Sequence, residues 1–200
     1  MKKIVYTVLL GDYKLNEPHI INHDWELICF TDQNIKSEYW RIIKVEGGKK
    51  KSRHIKIRLD QYMDYDICLY IDAKFTIRQN LKSFIKDNLK SDLCLMRHNK
   101  RNCAYDEGEF CIKIGKDKKE IIEDQLNIYR NVGFPKQFGL FAPGIMIKRN
   151  TEEVNRFMEQ WYDQVERYSY RDIISFSYTL WLNPINLSLM NFKETYKRFI

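Results

Sequence analysis

The sequence predicts an α/β fold, a single αβα sandwich with a mostly parallel central sheet. Three observations lead there. Short runs rich in Ile, Val, Tyr, Phe and Cys alternate with amphipathic stretches in the first half of the chain, and helical periodicity dominates the second. The run Ile67-Cys68-Leu69-Tyr70-Ile71 is apolar on both faces of an extended chain, as a strand covered from both sides must be. No internal repeat or low-complexity linker interrupts the 200 residues, so they read as one domain.

The first strand, residues 3–10, begins as Lys3-Ile4-Val5-Tyr6-Thr7-Val8 and runs into Gly11-Asp12-Tyr13. Two lysines followed by an apolar stretch resemble a secretion signal, but no small-residue cleavage site follows, so a core strand is the better reading. Further strands are expected at 25–31, 40–45, 67–71, 75–77, 92–97 and 144–148, each bounded by turn residues. From Arg53 onward, Ile55, Leu59, Tyr62 and Met63 make one helical face. Helices are also expected at 81–89, 116–130 and 172–182. The strongest period is 151–168, where Val154, Phe157, Met158, Trp161, Val165 and Tyr168 share a side, with Asn150 and Glu153 as a capping pair. The residues after 182 carry no clear pattern.

Composition sets the limits. Hydrophobic residues are 44% and aromatics 14%, which excludes a disordered chain. No run of about 18 apolar residues is present, leaving only peripheral contact with a membrane. Five cysteines without a C-x-x-C pair indicate neither a disulfide framework nor a zinc site, and a reducing cytoplasm fits them best. Cys103 and Cys111 are the one pair placed to bridge, within a single loop. The net charge of +7 suits an anionic partner, although lysines on solvated helix faces would also produce it.

Six segments carry candidate chemistry. Gly11-Asp12-Tyr13 and Phe30-Thr31-Asp32 each follow a strand: Tyr13 offers a flat face for a heterocycle, and Asp32 an acceptor for a base or ribose. Each alone is more often a turn than a site. The run Lys49-Lys50-Lys51-Ser52-Arg53-His54-Ile55-Lys56 opens a helix, where backbone N–H groups and surrounding cations favour a phosphate; the plain alternative is a solvated basic loop. Asp72-Ala73-Lys74 ends the apolar strand. Asp72 could hold Mn²⁺ or Mg²⁺ through oxygen, or simply start a turn, while Lys74 can neutralise phosphate but cannot ligate a cation. The polar stretch from Arg97 and His98 to Asp106 and Glu107 reads as a functional loop whose His98, Asp106 and Glu107 are candidate acids, bases or ligands. Arg171-Asp172 opens a late helix, with Asp172 either the N-cap or a base.

Taken in order, these stretches resemble the GT-A nucleotide-sugar glycosyltransferases, whose sheet is Rossmann-like. More narrowly, the chain is similar to a plant and bacterial glycosyltransferase-like group of the mucilage-synthesis type, once catalogued as a domain of unknown function. The likeness rests on Phe30-Thr31-Asp32, Tyr70-Ile71-Asp72-Ala73-Lys74, Arg97-His98 through Glu107, Tyr129-Arg130-Asn131-Val132-Gly133-Phe134-Pro135, Gly139 through Arg149 and Tyr170-Arg171-Asp172-Ile173-Ile174-Ser175-Phe176. The resemblance implies transfer of a sugar from a nucleoside-diphosphate sugar to a glycan or other hydroxyl acceptor, in polysaccharide synthesis. Tyr13 and Asp32 would hold the nucleoside, and Lys51, Arg53, Lys56, Lys74 and Arg97 would meet the donor. Asp72 would be the metal-motif position, Gly144 and Arg171 would line the acceptor side, and Asp172 would lie near the reacting sugar. Lys74 departs from the D-x-D of that family, and no histidine follows His98 to serve as a late metal ligand. An inverting enzyme would draw its base from Asp172, Asp106 or Glu107; a retaining one needs none. The rival readings are a lapsed enzyme that still binds a nucleotide sugar, and a nucleic-acid binder using residues 49–56. The second is disfavoured because the aromatics follow apolar patterns rather than interleaving with surface cations.

Overall fold

The computed structural model describes residues 1–200. Seven strands form one sheet: β1 (Lys3–Leu9), β2 (Glu26–Thr31), β3 (Arg41–Lys44), β4 (Ile67–Ile71), β5 (Leu93–Arg97), β6 (Phe141–Arg149) and β7 (Leu187–Met190). Their order is β3-β2-β1-β4-β6-β5-β7. Only β6 runs against its neighbours, pairing antiparallel with β4 and β5, while the other pairings are parallel. The predicted fold class therefore holds.

β4 explains the architecture in miniature. All five of its residues are buried. Cys68 and Tyr70 point to one side, into a core shared with α1 (Lys49–Ile57), α5 (Glu152–Arg167) and Phe176 of α6 (Asp172–Leu182). Ile67, Leu69 and Ile71 point to the other, against α2 (Leu81–Asn88) and Phe199 of α7 (Phe192–Phe199). The period of two across the pleat thus feeds two separate cores. A third cluster joins α3 (Ala104–Lys113) and α4 (Lys119–Asn131) to Ile173, Ile174 and Tyr178 of α6.

Several expectations need correction. Residues 75–77 form no strand: the Phe75 N–H donates to the Asp72 carbonyl at 2.9 Å in a turn, and the Thr76 N–H donates to the Phe199 carbonyl at 2.7 Å. Phe75 and Ile77 are buried, so the apolar run reported burial and not ladder pairing. The face expected to continue from Ile55 to Met63 breaks after Ile57 into a single 3-10 turn, Leu59–Gln61. Helix termination is possible there because buried side chains take the last carbonyls: the Tyr6 hydroxyl donates to the Lys56 carbonyl, and the Lys148 ammonium to the Ile57 carbonyl at 2.7 Å. The N-cap of α5 is Thr151, whose hydroxyl accepts from the Val154 N–H at 3.3 Å, while Asn150 instead accepts from the Asn155 amide. The loop expected from Arg97 to Glu107 gives way to α3 at Ala104. All five cysteines are free and buried, so Cys103 and Cys111 form no bridge. β7 and α7 lie in the stretch that carried no readable pattern. No helix is long and apolar enough to cross a membrane.

Candidate active site

The site begins where β4 ends. Tyr70 and Asp72 lie on the same side of the pleat, and the Tyr70 hydroxyl donates to Asp72 Oδ1 at 2.8 Å. Burial, reinforced by the Asp72 charge, pushes the Tyr70 hydroxyl well up, so it remains a donor at any physiological pH. The Asp72 N–H donates to the Gly144 carbonyl of β6 at 2.8 Å. Gly144 is required by this close approach: a Cβ there would stand 2.8 Å from Asp72 Oδ2. Beside it, Pro143 has no N–H to give a ladder, and the β5–β6 register shifts between Cys94 and Met96. The sheet is thus interrupted beside Asp72, and a cavity occupies the gap.

Cations arrive from α1. Arg53 and Lys56, three residues apart, share one helical face and meet the first residue of α6. Lys56 Nζ lies 2.6 Å from Asp172 Oδ2, and Arg53 Nε lies 3.5 Å from Oδ1. Burial alone would raise the Asp172 carboxyl, but Lys56 and then Arg53 overcome it and hold the group down at about 2. Asp172 is not a cap, since Arg171 occupies the N-cap position. Nor is it suited to be a base: a carboxylate whose oxygens face two cations has little affinity for a proton.

The cavity has a volume of about 220 Å³. It is lined by Arg53, Lys56, Asp72, Lys74, His98, Gly144, Arg171 and Asp172, all expected from the sequence. His98 accepts backbone N–H groups of Lys100 (3.3 Å) and Arg101 (3.0 Å) at Nδ1, which leaves the proton of the neutral ring on Nε2. Burial, outweighing the nearby Glu107 charge, pushes its pKa below the usual imidazole value. His98 is therefore a neutral ring with Nδ1 engaged and a hydrogen to donate at Nε2. Asn99, Phe192 and Tyr196 also line it and were missed. The signal for α7 was Asn191 followed by Glu194: the Asn191 side chain accepts the Glu194 N–H at 3.1 Å, an N-cap readable three residues apart.

Other predicted residues lie elsewhere. Asp106 is exposed on α3 outside the cavity. Glu107 is buried and paired with Arg101 at 2.5 Å, so its charge is already satisfied. Arg97 is exposed, with its guanidinium over the Phe141 ring at 5.6 Å, and Lys51 sits over Tyr62 at 5.1 Å. Neither lines the cavity. Tyr13 and Asp32 sit together beyond the ends of β1 and β2: both Asp32 oxygens accept the Gly11 N–H at 3.1 Å, and Tyr13 is 70% exposed. Gly11 needs its freedom here, at φ +89°.

A divalent cation does not fit these residues as a resident group. Asp72 is the one cavity carboxylate not committed to a salt bridge, its Oδ1 is taken by Tyr70, and four cationic side chains, Arg53, Lys56, Lys74 and Arg171, share its space. No three His, Cys, Asp or Glu side chains gather anywhere to hold a metal.

The architecture is one used by glycosyltransferases. Mouse xyloside xylosyltransferase 1, in its apo form, superposes with a TM-score of 0.54 at 10% identity, covering 96% of this chain and 86% of its own. The apo structure of the WbbM bifunctional glycosyltransferase gives the same TM-score and identity over 94% of this chain, which spans only 38% of that protein. At such identity the likeness is one of fold. No curated protein matches the sequence. The TOD1/MUCI70 glycosyltransferase-like domain matches residues 29–200, and the chain belongs to that family. The family resemblance read from the sequence is thereby borne out.

Proposed function

We propose that the protein is a glycosyltransferase that moves a sugar from a nucleoside-diphosphate sugar to a hydroxyl of a glycan or similar acceptor. The observation that carries this reading is the convergence of Asp72 with Arg53, Lys56, Lys74 and Arg171 in one cavity at the carboxyl end of a central strand. Such a constellation is suited to a pyrophosphate whose sugar must be held near a carboxylate. In the step proposed, the acceptor oxygen bonds to the anomeric carbon as the bond to the β-phosphate oxygen breaks. The electron pair stays on the diphosphate, where the cations stabilise it. The acceptor proton leaves with the diphosphate, since the cavity offers no unengaged base. Tyr13 and Asp32, at the neighbouring strand ends, are proposed to take the nucleoside and Gly144 to face the acceptor, while Arg171, expected on the acceptor side, is proposed to join the cations around the diphosphate. A role in polysaccharide synthesis and a cytoplasmic location, which suits five free thiols, belong to the same proposal.

The test is thermal-shift screening against UDP, GDP, ADP and CDP, followed by donor hydrolysis assays with the matching nucleotide sugars. A raised melting temperature with one nucleoside diphosphate and release of that nucleotide from its sugar are expected. Binding without turnover would make the protein a lapsed enzyme. Salt-sensitive binding of random oligonucleotides, indifferent to Asp72→Ala, would make it a nucleic-acid binder.

A further inference from the structure

The cations of the cavity fall into two groups. Arg53 and Lys56 face Asp172, which takes up part of their charge inside the protein. Lys74 and Arg171 form no salt bridge; Lys74 is exposed beside the Phe75 ring at 5.0 Å, and Arg171, whose side chain also reaches the Cys111 thiol, has its Nε buried with no hydrogen-bond partner, as Arg53 Nε is. A buried guanidinium N–H without an acceptor is a donor awaiting one. Lys74 and Arg171 share the cavity with Asp72, already hydrogen-bonded by Tyr70. Lys74 occupies the position, two residues after Asp72, from which a second carboxylate would have to reach a shared cation. An ammonium and a guanidinium without a salt bridge, beside a carboxylate already hydrogen-bonded by Tyr70, repel a divalent cation and attract phosphate oxygens.

Resting on the function proposed above, we infer that this site binds and neutralises the nucleoside diphosphate directly with Lys74 and Arg171, and needs no divalent metal to do so. The ammonium and the guanidinium fork would supply the positive charge that a metal ion would otherwise bring to the phosphates.

The experiment is calorimetric titration of metal-stripped protein with UDP and GDP, in EDTA and again with Mn²⁺ or Mg²⁺. Expected is a dissociation constant unchanged by the metal. Lys74→Ala and Arg171→Gln should each weaken binding about tenfold, the scale of one hydrogen bond between charged partners, with the melting temperature of the free protein retained. Lys74→Asp, which supplies a second carboxylate, should bind weakly in EDTA and recover with Mn²⁺. A wild-type protein that binds only with Mn²⁺ or Mg²⁺ overturns the inference while leaving the proposed function standing. Nucleotide binding indifferent to Lys74→Ala and Arg171→Gln also overturns it. If UDP and GDP bind under neither condition, the functional reading itself is lost, and this inference with it.

Discussion

Two charged regions of the molecule look alike in sequence and differ in space. The stretch from Arg97 to Glu107 is the denser in polar residues, yet beyond His98 and Asn99, which reach the cavity, it closes on itself: Glu107 meets Arg101, six residues away, and α3 packs its other side against α4. Gly108 permits that packing, since a Cβ there would come within 2.7 Å of Leu126. The region around Asp72 draws its charges from α1, the turn after β4 and the start of α6, far apart in the chain. There, Lys74 and Arg171 remain unpaired beside a cavity. Charge density alone does not mark a site; charge left unsatisfied by the fold does.

The largest effect that sharpens this contrast comes from the two buried carboxylates. Asp172→Ala leaves Lys56 and Arg53 without their counter-ion and should cost about 3–5 kcal/mol of stability, measured by urea unfolding, together with nucleotide binding. Glu107→Gln should lower stability as well but leave nucleotide affinity unchanged. Equal loss of binding in both variants would erase the distinction between the regions.

Acid should expose the same difference. The folded-state pKa of Asp172 is depressed from 3.8 to about 2, so the stability it contributes is present above pH 4 and is lost as pH falls toward 2. The drop is about 2 kcal/mol, from a shift of nearly two units. Unfolding free energies of wild type and Asp172→Asn at pH 5 and pH 2.5 give this term as their difference; identical slopes would contradict the ion pairing. Gly144→Ala should cost about 1–3 kcal/mol by pushing a methyl group against Asp72, and should weaken donor binding. Asp106→Asn, by contrast, should change stability by less than about 0.5 kcal/mol and leave turnover unaltered. A clear loss of turnover there would return α3 to the site.

How much of this was legible follows from what each signal measures. β4 and α5 were readable because burial on two faces, or on one helical stripe, leaves a periodic trace. Phe75 and Ile77 misled for the same reason: they are buried without belonging to the ladder. α3 was hidden because its buried face includes Glu107 and Gly108, which break the apolar period. Asp72, Lys56, Arg53, Lys74 and Asp172 were legible as types at strand and helix ends, where α/β sheets place ligands. The pairing of Asp172 with Lys56 was not legible, since only the fold brings α6 onto α1. That pairing turns a candidate base into an anchor for cations. Phe192 and Tyr196 escaped because α7 is short, though its Asn191 cap was visible.

The central claim is that Asp72 and the cations around it form the transfer site, and one comparison tests it most directly: nucleotide-sugar turnover by wild type and by Asp72→Asn. The account predicts a fall of at least about 100-fold, as for loss of one charge-stabilising group at a reacting centre, with an unchanged melting temperature. An undiminished rate in a folded Asp72→Asn protein would contradict it.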